Sequence, residues 1–143
     1  MRFIMNLMFL FLLNSCAAHS SPNLETLSTE LKPEKIPSEM MLAWKSLRIA
    51  ILADDVEAVG KVVHFPLRSL DYSLNELESF SELKKQFIKV FEPQLVKIIR
   101  NGEFSLAKGN PGYEVDCAEG YMIFGFEEYE GKYRLSYFGS INE

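Results

Sequence analysis

Few side chains in this sequence could do chemistry. Cys117 and His64 are the only thiol and imidazole within the expected folded part, residues 38–143, because Cys16 and His19 lie near the N-terminus. A cysteine nucleophile needs a base within hydrogen-bond reach and a third group that orients the base. Nothing in the placing of 64 and 117 makes them meet. The expectation is a packed Cys117 that behaves as a small hydrophobe, a satisfied His64, and no catalytic residue. The chain has no His-x-x-x-His and no Cys-x-x-Cys, so no zinc or other metal site is expected. Asp54-Asp55, and Glu127-Glu128 with Glu130, gather carboxylates at turns and helix starts, where solvated acids are ordinary. The second group lacks the spaced oxygen ligands of a calcium loop. Gly102, Gly109, Gly112 and Gly120 do not form a phosphate-cradling run that opens onto a helix, and no cofactor is expected. The aromatic residues remain, with 11 Phe and 6 Tyr. A candidate binding surface is formed by His64, Tyr113, Tyr121, Tyr133 and Tyr137. Tyr121, Tyr133 and Tyr137 are expected to line a concave face with their polar tips inward.

The N-terminus has a different character. One basic residue, Arg2, precedes an apolar run over residues 3–13 broken only by Asn6. Crossing a bilayer takes about 20 apolar residues, so this run has the length of an export signal's hydrophobic region. Leu13-Asn14-Ser15-Cys16 resembles the lipobox of bacterial lipoproteins, with Asn14 where that pattern usually carries a small residue. The resemblance implies removal of residues 1–15 and a diacylglyceryl group on Cys16. It therefore implies a membrane contact through lipid, with the domain facing the periplasm. Ala17 stands where some enteric lipoproteins carry an inner-membrane-retaining Asp, which favours the outer membrane. Ordinary cleavage near Ala17-Ala18 is the alternative and would release the domain. Residues 16–37 carry Pro22, Pro33 and Pro37 among serines and threonines and read as a lipidated N-terminus and tether. Leu24, Leu27 and Leu31 allow one short helix there.

Length and charge bound the rest. A chain of 143 residues holds one domain after loss of the leader. Its net charge of −5 becomes one unit more negative without Arg2. An acidic balance with no basic stripe argues against nucleic acid, whose binding rests on neutralising phosphates. It argues equally against an anionic lipid surface.

The elements that must position these side chains follow from periodicity and punctuation. Ser38 is the expected N-cap of a helix burying Met41, Trp44, Leu47 and Ile51. Asp54, with Glu57, is the expected cap of a second short helix. Residues 62–67 read as a strand at an edge or ending there, since Pro66 cannot donate to a ladder. Leu70, Tyr72 and Leu74 alternate and allow a further short strand. Ser79 and Glu82 open a helix burying Leu83, Phe87, Val90 and Phe91, and Pro93 should break it near Glu92. A second segment with Leu95, Ile98 and Ile99 stops at Asn101-Gly102. Short strands follow at residues 104–106 and 113–117. A hairpin turned at Glu130-Gly131 comes last. Its first strand is apolar on both faces and should be central or covered on both sides, and its second should bury Tyr133, Leu135 and Tyr137.

Helices followed by an antiparallel meander give an α+β layer architecture, with helices packed on one face of a curved antiparallel sheet. The order is similar to the cone-shaped superfamily named after ketosteroid isomerase and nuclear transport factor two, a cystatin-like arrangement. It looks more narrowly like a group of small exported bacterial proteins. The residues that carry the likeness are His64-Phe65-Pro66-Leu67, the Phe87-to-Pro93 break, and the hairpin from Gly131-Lys132-Tyr133 to Ile141-Asn142. The resemblance covers residues 38–143 and implies a cavity between helices and sheet, without an activity. The functional expectation is a non-enzymatic envelope lipoprotein that binds a protein or peptide, in an accessory or toxin-immunity type of role. A small-molecule binder or weak enzyme using the cone cavity is the alternative. A filled cone with an exposed apolar patch elsewhere would favour the first.

Overall fold

A computed structural model describes residues 35–71 and 75–140. Cys16, the tether leucines, Tyr72, Leu74 and Ile141-Asn142 lie outside the described residues. Helices α1 (Ser38–Leu52) and α2 (Val56–Val62) lead into strand β1 (Val63–Ser69). Helices α3 (Phe80–Val90) and α4 (Pro93–Asn101) follow, then β2 (Phe104–Lys108), β3 (Tyr113–Cys117), β4 (Met122–Tyr129) and β5 (Lys132–Gly139). The fold is α+β around one five-stranded sheet ordered β1-β5-β4-β3-β2.

Strands β2 to β5 form an antiparallel meander because short turns join them. Glu130 and Gly131 have φ of 50° and 75°, the positive values that a twist-matching two-residue turn requires. β4 lies between β3 and β5 and is buried from Met122 to Phe126, as its two apolar faces require. The wholly antiparallel expectation fails at β1, which pairs parallel with β5, so the sheet is mixed. Only a tight turn forces neighbours to be antiparallel, and two helices and three strands separate β1 from β5. β1 occupies an edge, and its ladder shifts register between Val63 and Arg68, the stretch that holds Pro66. Between β1 and α3 the described residues form no further strand, and Tyr72 and Leu74 of the alternating stretch lie outside them. Leu67 and Leu77 exchange backbone hydrogen bonds of 2.9 and 3.0 Å in an isolated bridge.

The helix ends differ from expectation in detail. Pro37 is the cap residue of α1, with Ser38 already helical and its hydroxyl on Glu39. Asp55, not Asp54, caps α2, accepting from the Ala58 N–H at 2.9 Å. Asp54 has φ 56° and so cannot take the extended conformation of a cap. Ser79 accepts from the Glu82 N–H at 3.4 Å, and the Glu82 carboxylate accepts from Glu78 N–H at 2.8 Å. The proline break is present, with α4 starting at Pro93 and ending at Gly102 in the left-handed conformation.

Helices cover one face of the sheet. Trp44 lies within 5.1 to 6.5 Å of the Phe104, Phe124 and Phe126 rings, and Phe91 stacks on Phe124 at 6.1 Å. Each side chain of this size stabilises by about 1.5–3 kcal/mol when fully buried. The inner stripe of α1 is Met40, Trp44, Leu47 and Ile51, steps of four, three and four residues. Met41 was expected inside but is 45% exposed, and Leu42 beside it is 62% exposed.

Candidate functional site

The exposed end of α1 faces the free edge of the sheet across a groove of about 910 Å³. Its apolar wall comes from Ile36, Met41, Leu42 and Trp44 on one side and Phe104 and Leu106 on the other. Three cations, Lys35, Lys45 and Arg48, stand around it with one anion, Glu39, on a chain whose net charge is −5. Arg48 is held in place: its guanidinium lies 5.1 Å over the Phe104 ring and its Nε donates to the Ile99 carbonyl at 3.3 Å. Such a cation–aromatic contact keeps the charge at the groove while its stem packs. Trp44 is buried, and its Nε1–H is the one buried side-chain polar group without a partner among the described residues. An unsatisfied buried donor costs about 1–3 kcal/mol.

β2 pairs with β3 alone and ends the sheet. Ala118 N–H donates to the Glu103 carbonyl at 2.9 Å, and Gly109 N–H to the Gly112 carbonyl at 3.0 Å. Both bonds fit the register Phe104–Cys117 and Leu106–Val115. Bonded pairs alternate along an antiparallel ladder, so the odd-numbered residues of β2 bond to β3. The N–H and C=O groups of Phe104 and Leu106 point the other way. These are the two β2 residues whose side chains line the groove.

The helix-free face of the sheet carries a different cluster. Tyr137 lies flat on Gly125, where an added Cβ would stand 1.9 Å from the ring. Its hydroxyl donates to the Glu114 carboxylate at 2.7 Å. The Arg68 guanidinium sits 5.4 Å above the same ring and pairs with Glu127. Burial, helped by the bond to Glu114 and the nearby carboxylates, pushes the Tyr137 hydroxyl well above the usual tyrosine value. Leu70, Glu76 and Pro111 complete a shallow pocket of about 420 Å³ there.

The five residues expected to form one surface are thus divided. Tyr137 is on the helix-free face. His64, on β1, stacks on Tyr129 with ring centroids 3.6 Å apart. Tyr113 and Tyr133 meet edge to face at 5.7 Å and pack with the core between helices and sheet. Tyr121 also packs against that core and donates to Glu92, a bond that raises its own pKa. A common concave face is therefore not formed. A bulge explains the placing of Tyr137. Gly125 faces Tyr137 and Phe126 faces Leu135, which leaves Ser136 extra and turns Tyr137 away from the side of Leu135.

Cys117 and His64 are also kept apart. β1 and β3 are separated by β5 and β4, three strand spacings or about 14 Å. Burial, with Asp116 adding to it, pushes the Cys117 thiol up to about 12. Among the described residues no group of three or more His, Cys, Asp or Glu side chains could hold a metal ion, and no helix is long and apolar enough to cross a membrane.

No protein-family model, curated protein or solved structure matches this chain. The groove was missed in the sequence, though a signal existed. Met41 and Leu42 are adjacent, so the face that buries Trp44 and Leu47 cannot also bury both of them.

Proposed function

We propose that this chain is a non-enzymatic lipoprotein of the cell envelope that binds a protein or peptide in the groove between α1 and β2. The observation that carries the reading is the open apolar groove outside a filled core. Trp44, Phe91, Phe124 and Phe126 occupy the space between helices and sheet, where a ligand cavity of the cone type would lie. Apolar side chains stay exposed at Met41 and Leu42, and contiguous exposed apolar surface marks interaction sites. The Lys35, Lys45 and Arg48 rim on an acidic protein favours a partner segment that carries carboxylates. The likeness to the cone-shaped superfamily belongs to this proposal, as a scaffold whose interior has been packed and whose edge does the binding. The lipobox at Cys16 supplies the anchor: attached acyl chains hold the domain at the membrane, each buried methylene contributing about 0.8 kcal/mol. The outer membrane, facing the periplasm, is the favoured address.

The test uses the full chain, solubilised from membranes, as bait for envelope proteins. Wild type is compared with Leu42→Glu in the groove and Ile88→Glu on α3, where Ile88 is exposed. The expected result is one stoichiometric partner recovered by wild type and Ile88→Glu and lost with Leu42→Glu. Equal recovery by all three contradicts the assignment of the groove.

A further inference from the structure

We propose that the partner segment binds as an added β-strand on the free edge of β2, with apolar side chains at alternate positions and at least one carboxylate. This rests on the reading of the groove as the binding site, and it specifies how the backbone takes part.

Three independent features converge. Phe104 and Leu106 direct their N–H and C=O groups away from β3, and no other described element pairs with that edge. An unpaired strand edge is a template for another chain. The same two residues put their side chains on the groove wall opposite Met41 and Leu42. An incoming strand would therefore meet a backbone ladder and an apolar pocket for its alternate side chains at once, as strand addition requires. The third feature is chemical. Lys35, Lys45 and Arg48 are all cationic donors. Glu39 is the one carboxylate among the groove residues. A carboxylate on the strand would answer the cations. Five residues of β2 span about 17 Å, so a segment of five to seven residues fills the edge.

The probe is a capped nonapeptide that alternates leucine and threonine and carries glutamate in place of the last leucine, on the face that meets the groove cations; it is titrated into the full chain in non-denaturing detergent against protein-free micelles. Two further peptides are N-methylated, one at every leucine and the other at every threonine. Strand addition uses only one alternating set of amides. The expected result is a loss of at least tenfold in affinity for one methylated peptide and less than twofold for the other. Loss at the leucine amides reports an antiparallel strand, because directly opposed residues share a face. Loss at the threonine amides reports a parallel one.

On the protein, Leu106→Pro removes an N–H that the β3 ladder does not use, and proline is tolerated at such edges. It should weaken binding at least tenfold beyond Leu106→Ala, which loses the same side chain and keeps the N–H. Equal binding of both methylated peptides, or equal effects of the two Leu106 variants, overturns strand addition while the groove assignment stands if Leu42→Glu still abolishes capture. No binding of the plain peptide also overturns it, and the groove assignment falls only if Leu42→Glu leaves partner recovery unchanged. A dimer that forms without peptide and is lost in Leu106→Pro gives the edge to a second copy of the chain and overturns the proposal.

Discussion

Gly125→Ala should destabilise the protein through a side chain on the opposite strand. The added Cβ would stand 1.9 Å from Tyr137 Cζ, with the two Cε atoms at 2.1 and 2.2 Å. The ring must retreat by about 1.5–2 Å to reach an ordinary carbon–carbon separation. It has little room, with Arg68 lying over it and its hydroxyl bonded to Glu114 at 2.7 Å. Overfilling a packed site costs about 1–3 kcal/mol and loss of a hydrogen bond to a charged group about 1.5–3 kcal/mol; the two overlap, so about 2–4 kcal/mol is expected. Tyr137→Ala should cost about 3–5 kcal/mol alone. The double variant should then cost little more than Tyr137→Ala, because the obstacle to the new methyl group is gone. Urea unfolding of all four proteins at pH 7, with slopes checked for constancy, gives the coupling directly. A coupling of at least about 1.5 kcal/mol is expected. Additive costs would refute the close approach of Gly125 and Tyr137, and with it the bulge that turns Tyr137 to the helix-free face.

The raised Tyr137 pKa means that the folded state holds this proton more tightly than the unfolded chain. The stability it contributes is present below the ordinary tyrosine value of about 10 and is lost as pH rises through the higher folded-state value. Unfolding midpoints should therefore fall more steeply above pH 10 in wild type than in Tyr137→Phe; parallel profiles would contradict the assignment. Cys117 should resist a disulfide reagent at pH 8 in the folded protein and react fully in denaturant, read by mass spectrometry of the Cys117 peptide, since burial holds its thiol at about 12. Native-state labelling at the rate of a free thiol would contradict it. The Cys16→Ala variant should lose the added acyl mass and leave the membrane fraction for the soluble periplasm; retention in membranes would count against lipid anchoring.

The parts of the fold that could be read from the sequence were those fixed by local chemistry. Glu130-Gly131 sets its turn from two residues, Pro93 ends one helix and starts the next, and Asn101-Gly102 stops that one. The apolar run 121–126 had to be covered on both faces. What escaped depended on choices between near-equal local options. Met40 and Met41 are adjacent, and the inner stripe took Met40 because steps of four, three and four keep Trp44, Leu47 and Ile51 in line. Tyr133, Leu135 and Tyr137 alternate perfectly, yet one extra residue at Ser136 reverses the face of the last. Parallel pairing of β1 with β5 joins segments far apart in the chain, and no turn signal specifies it. The groove depends on the first of these choices. It exists because Met41 and Leu42 are left outside, beside an edge strand whose bonding direction only the register reveals.

The central claim is that partner contact is made at the α1–β2 groove. A photo-activated cross-linking residue introduced at Leu42, at Leu106, or at Ile88 as a control tests it most directly in intact cells. The account predicts the same single adduct from positions 42 and 106 and none from position 88. An adduct from position 88 alone, or identical adducts from all three, would contradict it.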